Sequence, residues 1–327
     1  MNPLREKAEY FITKGFFCIL RLCPSAAIYG ICRGFAFLFY TLGFRRRKMT
    51  LQNMQLALPN LSEKERQRMA IASYDHFGQF MAESAMILAG KIDREKLENM
   101  VDGEDISKLL ELEKSTEKGI LFITGHLGNF ELLAHYTGTR LTRTGHVVAR
   151  KGTNQRVDDR IVTPMRESFG NKVIYKKRAL PHIARTLKRG EHVGLLIDIK
   201  SNAKRGVPVT FFGNETYAIK SSAYLQIKLN PIVVPITMAR IEPKRYKLIA
   251  GDPIPWADNG QPIEEQISEL TQIHQTELEK LIRQYPEQWL WMHNRFRIKE
   301  TSTLRRKKRR KKRRAKESAA NTTPSAE

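Results

Sequence analysis

The sequence predicts an α/β protein in which a mixed β-sheet is flanked by helices and preceded by N-terminal membrane-associated helices. Three observations support this class. Short apolar stretches alternate with amphipathic helical stretches between residues 120 and 284. Residues 50–118 are helical in pattern throughout, and much of the stretch from residue 10 to residue 44 is apolar. At 327 residues and 41% hydrophobic content, the chain can bury one large core.

The N-terminal apolar region runs from Tyr10 to Phe44. Residues 24–44 are long enough to cross a bilayer, but Arg33 near their centre would be costly there. Membrane association is therefore favoured over a clean span, with the basic residues 45–48 beside anionic head groups. The alternative is a pair of amphipathic helices that simply pack on the following domain. A secretory signal fits poorly, because the apolar region is long and interrupted by arginines.

Further along the chain, Ser62 and Glu65 form a capping-box pattern before a long helix that continues through Met86. Strands are expected near residues 120–125, 146–150, 172–175, 193–198, 208–212, 232–239 and 245–250. Helices are expected near residues 130–141, 156–168, 179–189, 217–229 and 264–284. The expected organisation is a membrane-associated segment (1–48), a domain with a helical lead-in (49–300) and a disordered polybasic tail (301–327).

The charge of the chain points to an anionic partner. The formal net charge is +23, and residues 301–327 contribute +9 of it, so the remaining 300 residues still carry +14. Such a charge suits nucleic acid, an acidic membrane or an acidic carrier protein. The tail could bind anionic lipid or, nonspecifically, nucleic acid. Lipid is favoured because the other end of the chain is also directed to a membrane.

The clearest chemical motif is His126 followed five residues later by Glu131. An apolar strand precedes it, and Asn129 can cap a helix that starts after it. Residues five apart on one helix are rotated by roughly 140°, so the two side chains can meet only if His126 lies before the helix. A histidine oriented by a carboxylate is a general base for activating a hydroxyl. An ordinary hydrogen bond between the two side chains is the alternative.

The residues around His126 suggest how a substrate would be bound. Gly128 would allow close approach of the substrate, and the helix start at Asn129 would offer backbone amides to a developing oxyanion. Arg150 and Lys151, with further basic residues nearby, could form a basic rim suited to a phosphorylated saccharide or an acidic carrier protein. A solvated charged surface would give the same pattern. The three cysteines lack the paired spacing of a metal site, so no metal is expected.

The residues 126–133, HLGNFELL, resemble the H-x4-D/E motif of the bacterial lipid A biosynthesis acyltransferases, the lauroyl and myristoyl transferases. Further stretches match that family in order: Arg150-Lys151 with Asn154, GNK at 170–172, LKRGE at 187–191, VGLLID at 193–198, FFG at 211–213 and PEQWLWMHNRF at 286–296. The resemblance covers roughly residues 10–300. It implies a glycerolipid-acyltransferase-like fold and makes Trp289 and Trp291 part of a scaffold segment beside the site.

The resemblance also implies two further site residues. Arg166, late on a helix, would bind a phosphate or the oxyanion, and Asp198, at the end of a strand, would orient it or pair with it. A salt bridge that merely joins helix to strand is the alternative. The family usually has Gln or another polar residue after this Asp, whereas Ile199 and Lys200 follow here.

The resemblance and the residues together predict an O-acyltransferase at the cytoplasmic face of the bacterial inner membrane. Its partners would be acyl carrier protein or acyl-CoA as donor, a lipid A precursor as acceptor and anionic membrane lipids, with no cofactor. His126 would deprotonate the acceptor hydroxyl while Glu131 positions the imidazole. One alternative is an enzyme of the same superfamily with another glycolipid, phospholipid or aminolipid acceptor. The other is a noncatalytic, membrane-tethered protein that binds nucleic acid or other anions, which would leave His126 and Glu131 unexplained.

Overall fold

A seven-stranded mixed sheet forms the centre of the protein. The computed structural model describes residues 3–177 and 179–296, so the expected polybasic tail lies outside the described residues. The strands are β1 (Val101–Asp102), β2 (Ile120–Thr124), β3 (Gly145–Ala149), β4 (Lys172–Tyr175), β5 (His192–Leu196), β6 (Gly206–Phe211), β7 (Asn214–Ile219), β8 (Ile232–Glu242) and β9 (Arg245–Ala250). The order in the large sheet is β1-β9-β8-β2-β5-β3-β4, and β6 pairs with β7 in a separate hairpin.

Most neighbouring strands of the large sheet are parallel; among the described strands of this sheet, only β8 and β9 pair antiparallel. Strand β2 lies at the centre, between β5 and β8, and all five of its residues are buried. A strand covered on both faces is expected to be uniformly apolar, which explains the sequence Ile-Leu-Phe-Ile before Thr124. The carboxyl ends of β2 and β5 therefore lie side by side at one edge of the sheet.

Helices cover both faces of this sheet. They are α1 (Pro3–Leu22), α2 (Ser25–Leu42), α3 (Phe44–Ala57), α4 (Glu63–Leu88), α5 (Arg94–Met100), α6 (Glu104–Lys114), α7 (Phe130–Arg140), α8 (Gln155–Val157), α9 (Thr163–Glu167), α10 (Ala179–Lys188), α11 (Ser221–Leu229) and α12 (Ile263–Gln284). A π-helical turn (Asp158–Val162) joins α8 to α9. Leu121 and Ile123 of β2 face the core shared with α10, α11 and α12, whereas Ile120 and Phe122 face the core shared with α2 and α4–α7.

The sequence predicts this architecture well, with three corrections. The stretch of residues 50–118 expected to be helical is interrupted by strand β1, which pairs with β9. The mixed sheet flanked by helices is confirmed, and Ser62 and Glu65 form the expected capping box at the start of α4. The helix expected to begin at residue 217 begins at Ser221, because residues 214–219 form strand β7. Thr216 and Ala218 alternate there with less buried neighbours, which is a strand pattern. The expected strand near 208–212 belongs to the separate hairpin and not to the large sheet.

Helix α2 packs tightly along α4. At Gly78 of α4, a Cβ atom would lie 2.8 Å from the Cα atom of Arg33, so only glycine permits this approach. The Arg33 guanidinium pairs with Asp75 at 2.6 Å, and the Tyr29 hydroxyl donates a 2.8 Å hydrogen bond to Glu83. The arginine that is costly in a bilayer is thus paired with a carboxylate of the domain.

Many other side chains of α1 and α2 are apolar and exposed. On α1 these residues include Phe11, Ile12, Phe16 and Ile19, and on α2 they include Ile31, Phe35, Phe37, Leu38 and Phe39. Within the described residues, Ser25–Leu42 is the one helix long and apolar enough to cross a membrane. Exposed large apolar side chains in this number favour membrane or protein contact.

Candidate active site

His126 lies in the turn between β2 and α7, as its spacing from Glu131 predicts. The Asn129 side chain accepts a 3.0 Å hydrogen bond from the Leu132 amide and so caps the helix, which confirms the expected cap. Gly128 adopts a φ of +59°, and a Cβ atom there would lie 1.9 Å from the Met238 carbonyl oxygen of β8. The glycine is therefore required by packing of the turn against β8, and it also lines the cavity beside His126.

The carboxylate that orients His126 is that of Asp198, which follows β5. The imidazole Nδ1 lies 2.8 Å from Oδ1 of Asp198, and the His126 backbone amide donates to Oδ2 at 2.7 Å. The prediction that Glu131 holds the imidazole is wrong for this contact. Glu131 lies on α7, five residues after His126, and pairs with Arg166. The parallel pairing of β2 with β5 places Asp198 beside His126 instead.

Asp198 stays ionised although it is buried. Burial by itself would raise its pKa, but the charge of His126, the two hydrogen bonds from His126 and that from Trp289 lower it to about 2. Burial lowers the pKa of His126, but the Asp198 charge and hydrogen bond, with a smaller contribution from Glu131, raise it above its usual value. An ionised Asp198 fixes the proton on Nδ1, so Nε2 is the basic nitrogen.

Glu131 and Arg166 form a two-point ion pair. The Glu131 Oε1 atom accepts from the Arg166 Nη2 at 2.7 Å, and Oε2 accepts from Nε at 3.3 Å. The expected pairing of Arg166 with Asp198 is therefore wrong, because Asp198 is bonded to His126 and Arg166 to Glu131. The Arg166 side chain is only 24% exposed and that of Glu131 14%, so the ion pair is partly desolvated.

Asn129 also differs from its expected role in substrate binding. It is fully buried, and its side-chain amide donates to Glu83 at 2.7 Å. Its backbone amide donates to the Met238 carbonyl at 2.8 Å, and the Gly128 amide donates to the Gln288 carbonyl at 3.1 Å. These two amides are consequently not available to an oxyanion.

An apolar cavity of about 40 Å³ opens beside His126. Aromatic side chains line much of it: Phe77 and Phe80 of α4, Phe130 of α7 and Trp289. The Phe130 ring meets the edge of the imidazole at a centroid distance of 5.1 Å. The described residues 3–177 and 179–296 contain no group of three His, Cys, Asp or Glu side chains arranged to hold a metal ion. The site thus combines an oriented base with an apolar wall, in a space that admits a small group such as a hydroxyl.

Comparison with known proteins identifies the family of this chain. Residues 3–298 match the profile of the bacterial lipid A biosynthesis acyltransferases. The chain belongs to that family. It is 25% identical over 280 residues to the lipid A biosynthesis lauroyltransferase of Escherichia coli K12, covering 84% of this chain and 86% of the relative. It is 25% identical over 255 residues to the palmitoleoyltransferase of the same organism, covering 77% of this chain and 79% of the relative.

A third relative is a lipid A biosynthesis acyltransferase of Haemophilus influenzae. It is 25% identical over 282 residues, which cover 84% of this chain and 86% of the relative. This chain is accordingly an acyltransferase of lipid A biosynthesis, and the recognition based on its motifs is confirmed.

Trp289 is a site residue of the acyltransferase whose contact could not be predicted. Its indole Nε1 donates a 2.9 Å hydrogen bond to Oδ2 of Asp198. The next residue, Leu290, donates its backbone amide to the His126 carbonyl at 3.0 Å. The one signal in the sequence is the indole N–H itself, which needs an acceptor when buried.

The acyltransferase contains a second buried histidine and carboxylate pair, which shows what a structural pair looks like. His192 Nε2 lies 2.7 Å from Glu113, and its Nδ1 accepts from the Ile120 amide. Both side chains are almost completely buried, at 1% and 2% exposure. Both ring nitrogens are occupied there, whereas the His126 side chain is 16% exposed and Nε2 makes no hydrogen bond within the described residues.

Arg150 and Lys151, the expected basic rim, follow the carboxyl end of β3. Strand β5 lies between β3 and β2, so the carboxyl ends of all three strands lie at the same edge of the sheet. Arg150 is exposed. Lys151 pairs with Asp159 at 3.1 Å and lies over the Tyr175 ring at 4.6 Å, so part of its charge is already balanced. The parallel strands thus bring these cations to the edge of the sheet where His126 lies.

Proposed function

We propose that this acyltransferase moves a fatty acyl chain from a thioester, carried by acyl carrier protein or CoA, to a hydroxyl of a lipid A precursor. The acceptor hydroxyl would belong to a 3-hydroxyacyl chain. The observation that carries the proposal is the hydrogen bond from His126 Nδ1 to Asp198, which leaves Nε2 as a base beside an apolar cavity.

The reaction balances with the two substrates alone. Nε2 of His126 removes the hydroxyl proton as the oxygen forms a bond to the thioester carbonyl carbon. The tetrahedral intermediate then breaks its carbon–sulfur bond, and the imidazolium returns the proton to the thiolate. The products are an ester and a free thiol, so no cofactor is needed for the balance.

Arg166 is proposed to bind an anionic group of a substrate, either a phosphate of the acceptor or the oxyanion. Glu131 fixes two of its guanidinium nitrogens, which orients the rest of the group. Glu131 thus acts mainly through Arg166, and it adds a smaller electrostatic contribution that raises the pKa of His126. Arg150 and Lys151 would attract the acidic surface of a carrier protein.

We further infer that the acyltransferase lies on the cytoplasmic face of the bacterial inner membrane. The exposed phenylalanines of α1 and α2 would enter the lipid, with the basic residues 45–48 among anionic head groups. The ion pair of Arg33 with Asp75 and the close packing at Gly78 support a helix that lies on the membrane over one that crosses it alone.

The glycerolipid-acyltransferase-like fold belongs to the same proposal. Its support is the His-x4-Glu motif at the strand-to-helix turn of a mixed sheet. Residues 49–300 would form the catalytic domain with its helical lead-in, and residues 1–48 the membrane-associated segment.

The test is an assay of the purified full chain in detergent. It receives acyl carrier protein thioesters and CoA thioesters of several chain lengths, with tetra-acylated or penta-acylated lipid A precursor, and products are read by mass. We expect one added acyl chain with the wild type and a loss of roughly 10²–10⁴-fold with His126→Ala. Full transfer by His126→Ala, or product only with a phospholipid or aminolipid acceptor, would overturn the proposal. A protein that transfers no acyl group to any acceptor but binds nucleic acid would point to the noncatalytic alternative.

A further inference from the structure

A second histidine, His293, lies directly beside the proposed base. Its ring centroid is 5.4 Å from that of His126, and the two ring planes are tilted by 49°. Phe130 contacts the same imidazole at 5.1 Å. His293 is exposed, whereas Phe130 lines the apolar cavity. Of these two rings beside the His126 imidazole, that of His293 is polar and that of Phe130 is apolar.

The backbone that carries His293 is fixed by buried contacts. Asn53 of α3 is fully buried, and its side-chain amide donates both to the Trp291 carbonyl at 2.6 Å and to the His293 carbonyl. Arg46 donates to the Met292 carbonyl at 3.0 Å. A group that must stabilise charge without reorganising needs this kind of support.

The electrostatic surroundings of His293 are positive. Although the side chain is exposed, protein atoms packed around part of the ring desolvate it and lower its pKa. The charges of His126, Arg46 and Lys200 lower that pKa further, whereas the charge of Asp198 raises it. The ring is thus neutral near pH 7 and still carries one N–H donor. Arg46 and Lys200 favour negative charge at the same place.

Three hydrogen-bond donors at the edge of the cavity are already used. Their acceptors are backbone carbonyls: the Gly128 amide donates to Gln288 at 3.1 Å, the Asn129 amide to Met238 at 2.8 Å and the Ser73 hydroxyl to Trp289 at 3.1 Å. Those three groups are therefore not available to a developing oxyanion. Among the described side chains, His293 is the polar one whose ring packs against the base.

We propose that His293 donates its ring N–H to the oxyanion of the tetrahedral intermediate formed during acyl transfer. The inference rests on the proposed function, and it leaves Arg166 to bind a phosphate of the acceptor. His126 moves the proton, and His293 neither gains nor loses one. Because the oxyanion exists only after attack, the contact stabilises the transition state more than the bound substrates.

The experiment compares His293→Ala, which removes the donor, with His293→Gln, which keeps an N–H group. We expect kcat to fall roughly 10²–10³-fold in His293→Ala, with KM for both substrates changed less than about threefold. His293→Gln should recover at least about tenfold of that loss. His182→Ala, which changes an exposed histidine of α10, is the matched control and should keep wild-type kcat.

A second measurement distinguishes loss of the His293 donor from a folding defect of the variant. A phosphonate analogue that joins the acyl chain to the acceptor places a charged oxygen where the oxyanion would form. Its affinity should fall in His293→Ala by about the same factor as kcat, while the affinity for the acceptor alone stays unchanged. A rise in KM at unchanged kcat, equal losses in the Ala and Gln variants, or unaltered analogue affinity would overturn the role of His293. The proposed function fails separately, if the wild type forms no acylated product.

Discussion

The indole nitrogen of Trp289 and the backbone amide of His126 donate to the same oxygen of Asp198, at 2.9 Å and 2.7 Å. The other carboxylate oxygen is left to the imidazole. Three donors thus hold a buried carboxylate in one orientation, and that carboxylate sets the tautomer of the base. The predictions below follow from this arrangement and from the ion pair beside it.

Asp198→Asn should reduce kcat by roughly 10²–10⁴-fold, because the amide no longer fixes the proton on Nδ1 or stabilises the imidazolium. In the wild type, His126 must be neutral to act as a base, so activity should fall as the pH drops below its raised pKa. Loss of the Asp198 charge lowers that pKa, so the acidic limb of the kcat/KM profile should move to lower pH. A pH–rate profile measures both effects. An unmoved acidic limb would show that Asp198 does not control the base.

Trp289→Phe should weaken the hold on Asp198 while keeping an aromatic ring in place. The lost hydrogen bond to a charged acceptor contributes about 1.5–3 kcal/mol, and kcat should fall with it. Trp291→Phe is the matched control, because its indole donates to the neutral Pro286 carbonyl at 2.6 Å. It should cost about 0.5–1.5 kcal/mol in stability and leave kcat near the wild-type value. Thermal unfolding and steady-state kinetics of the two variants distinguish the roles; equal kcat values would contradict the prediction.

Glu131 and Arg166 should behave as one unit. Glu131→Gln releases a guanidinium that is only partly exposed, and Arg166→Gln removes the same contact from the other side. We expect each change to raise KM for the acceptor, and the double variant to be little worse than either single one. A coupling free energy of about 0.5–3 kcal/mol in a double-mutant cycle on kcat/KM is the expected result. Additive losses would mean that the two side chains act independently.

The stability of the fold should fall with acidification between about pH 6.5 and pH 4. Burial lowers the pKa of His76 and of His135 to about 4 and that of His274 to about 3. In the unfolded chain these histidines bind a proton near pH 6.5, so the unfolded state takes up more protons in this interval and gains stability. Each group contributes a slope of up to about 1.4 kcal/mol per pH unit.

Thermal unfolding at a series of pH values measures this slope. His274→Gln should reduce it, because a glutamine between Ser222 and Gln226 stays neutral at every pH used. A wild-type melting temperature that is unchanged from pH 7 to pH 5 would show that these histidines are not the groups that titrate.

Sequence predicts much of the fold and the position of His126, because these depend on local interactions. It does not predict the partner of His126, because that contact joins distant parts of the chain. The apolar run ending at Thr124, the cap at Asn129 and the geometry of five residues on a helix are local, and they place His126 in the turn correctly. The partner of His126 is not local, because it depends on β5 lying beside β2 across 72 residues of sequence. Sequence could place Asp198 at the end of a strand but not beside that particular turn.

The exchanged partners of Glu131 and Asp198 have the same origin. Sequence identifies His126, Glu131, Arg166 and Asp198 as members of the site. Which carboxylate pairs with which cation depends on the order of strands in the sheet. Gly128 is a related case. Its positive φ was not visible in the sequence, and neither was the carbonyl of β8 that makes glycine necessary there.

The close contact of α2 with α4 bears on any attempt to prepare a water-soluble form of this enzyme. Cutting away the first 42 residues would uncover the surface around Gly78 and deprive Asp75 and Glu83 of their bonds to Arg33 and Tyr29. The truncated protein would expose a new aggregation-prone surface on α4 in place of the apolar surface removed with α1 and α2. Solubility is better engineered on the outward phenylalanines, with the helix itself left in place as a wall of the domain.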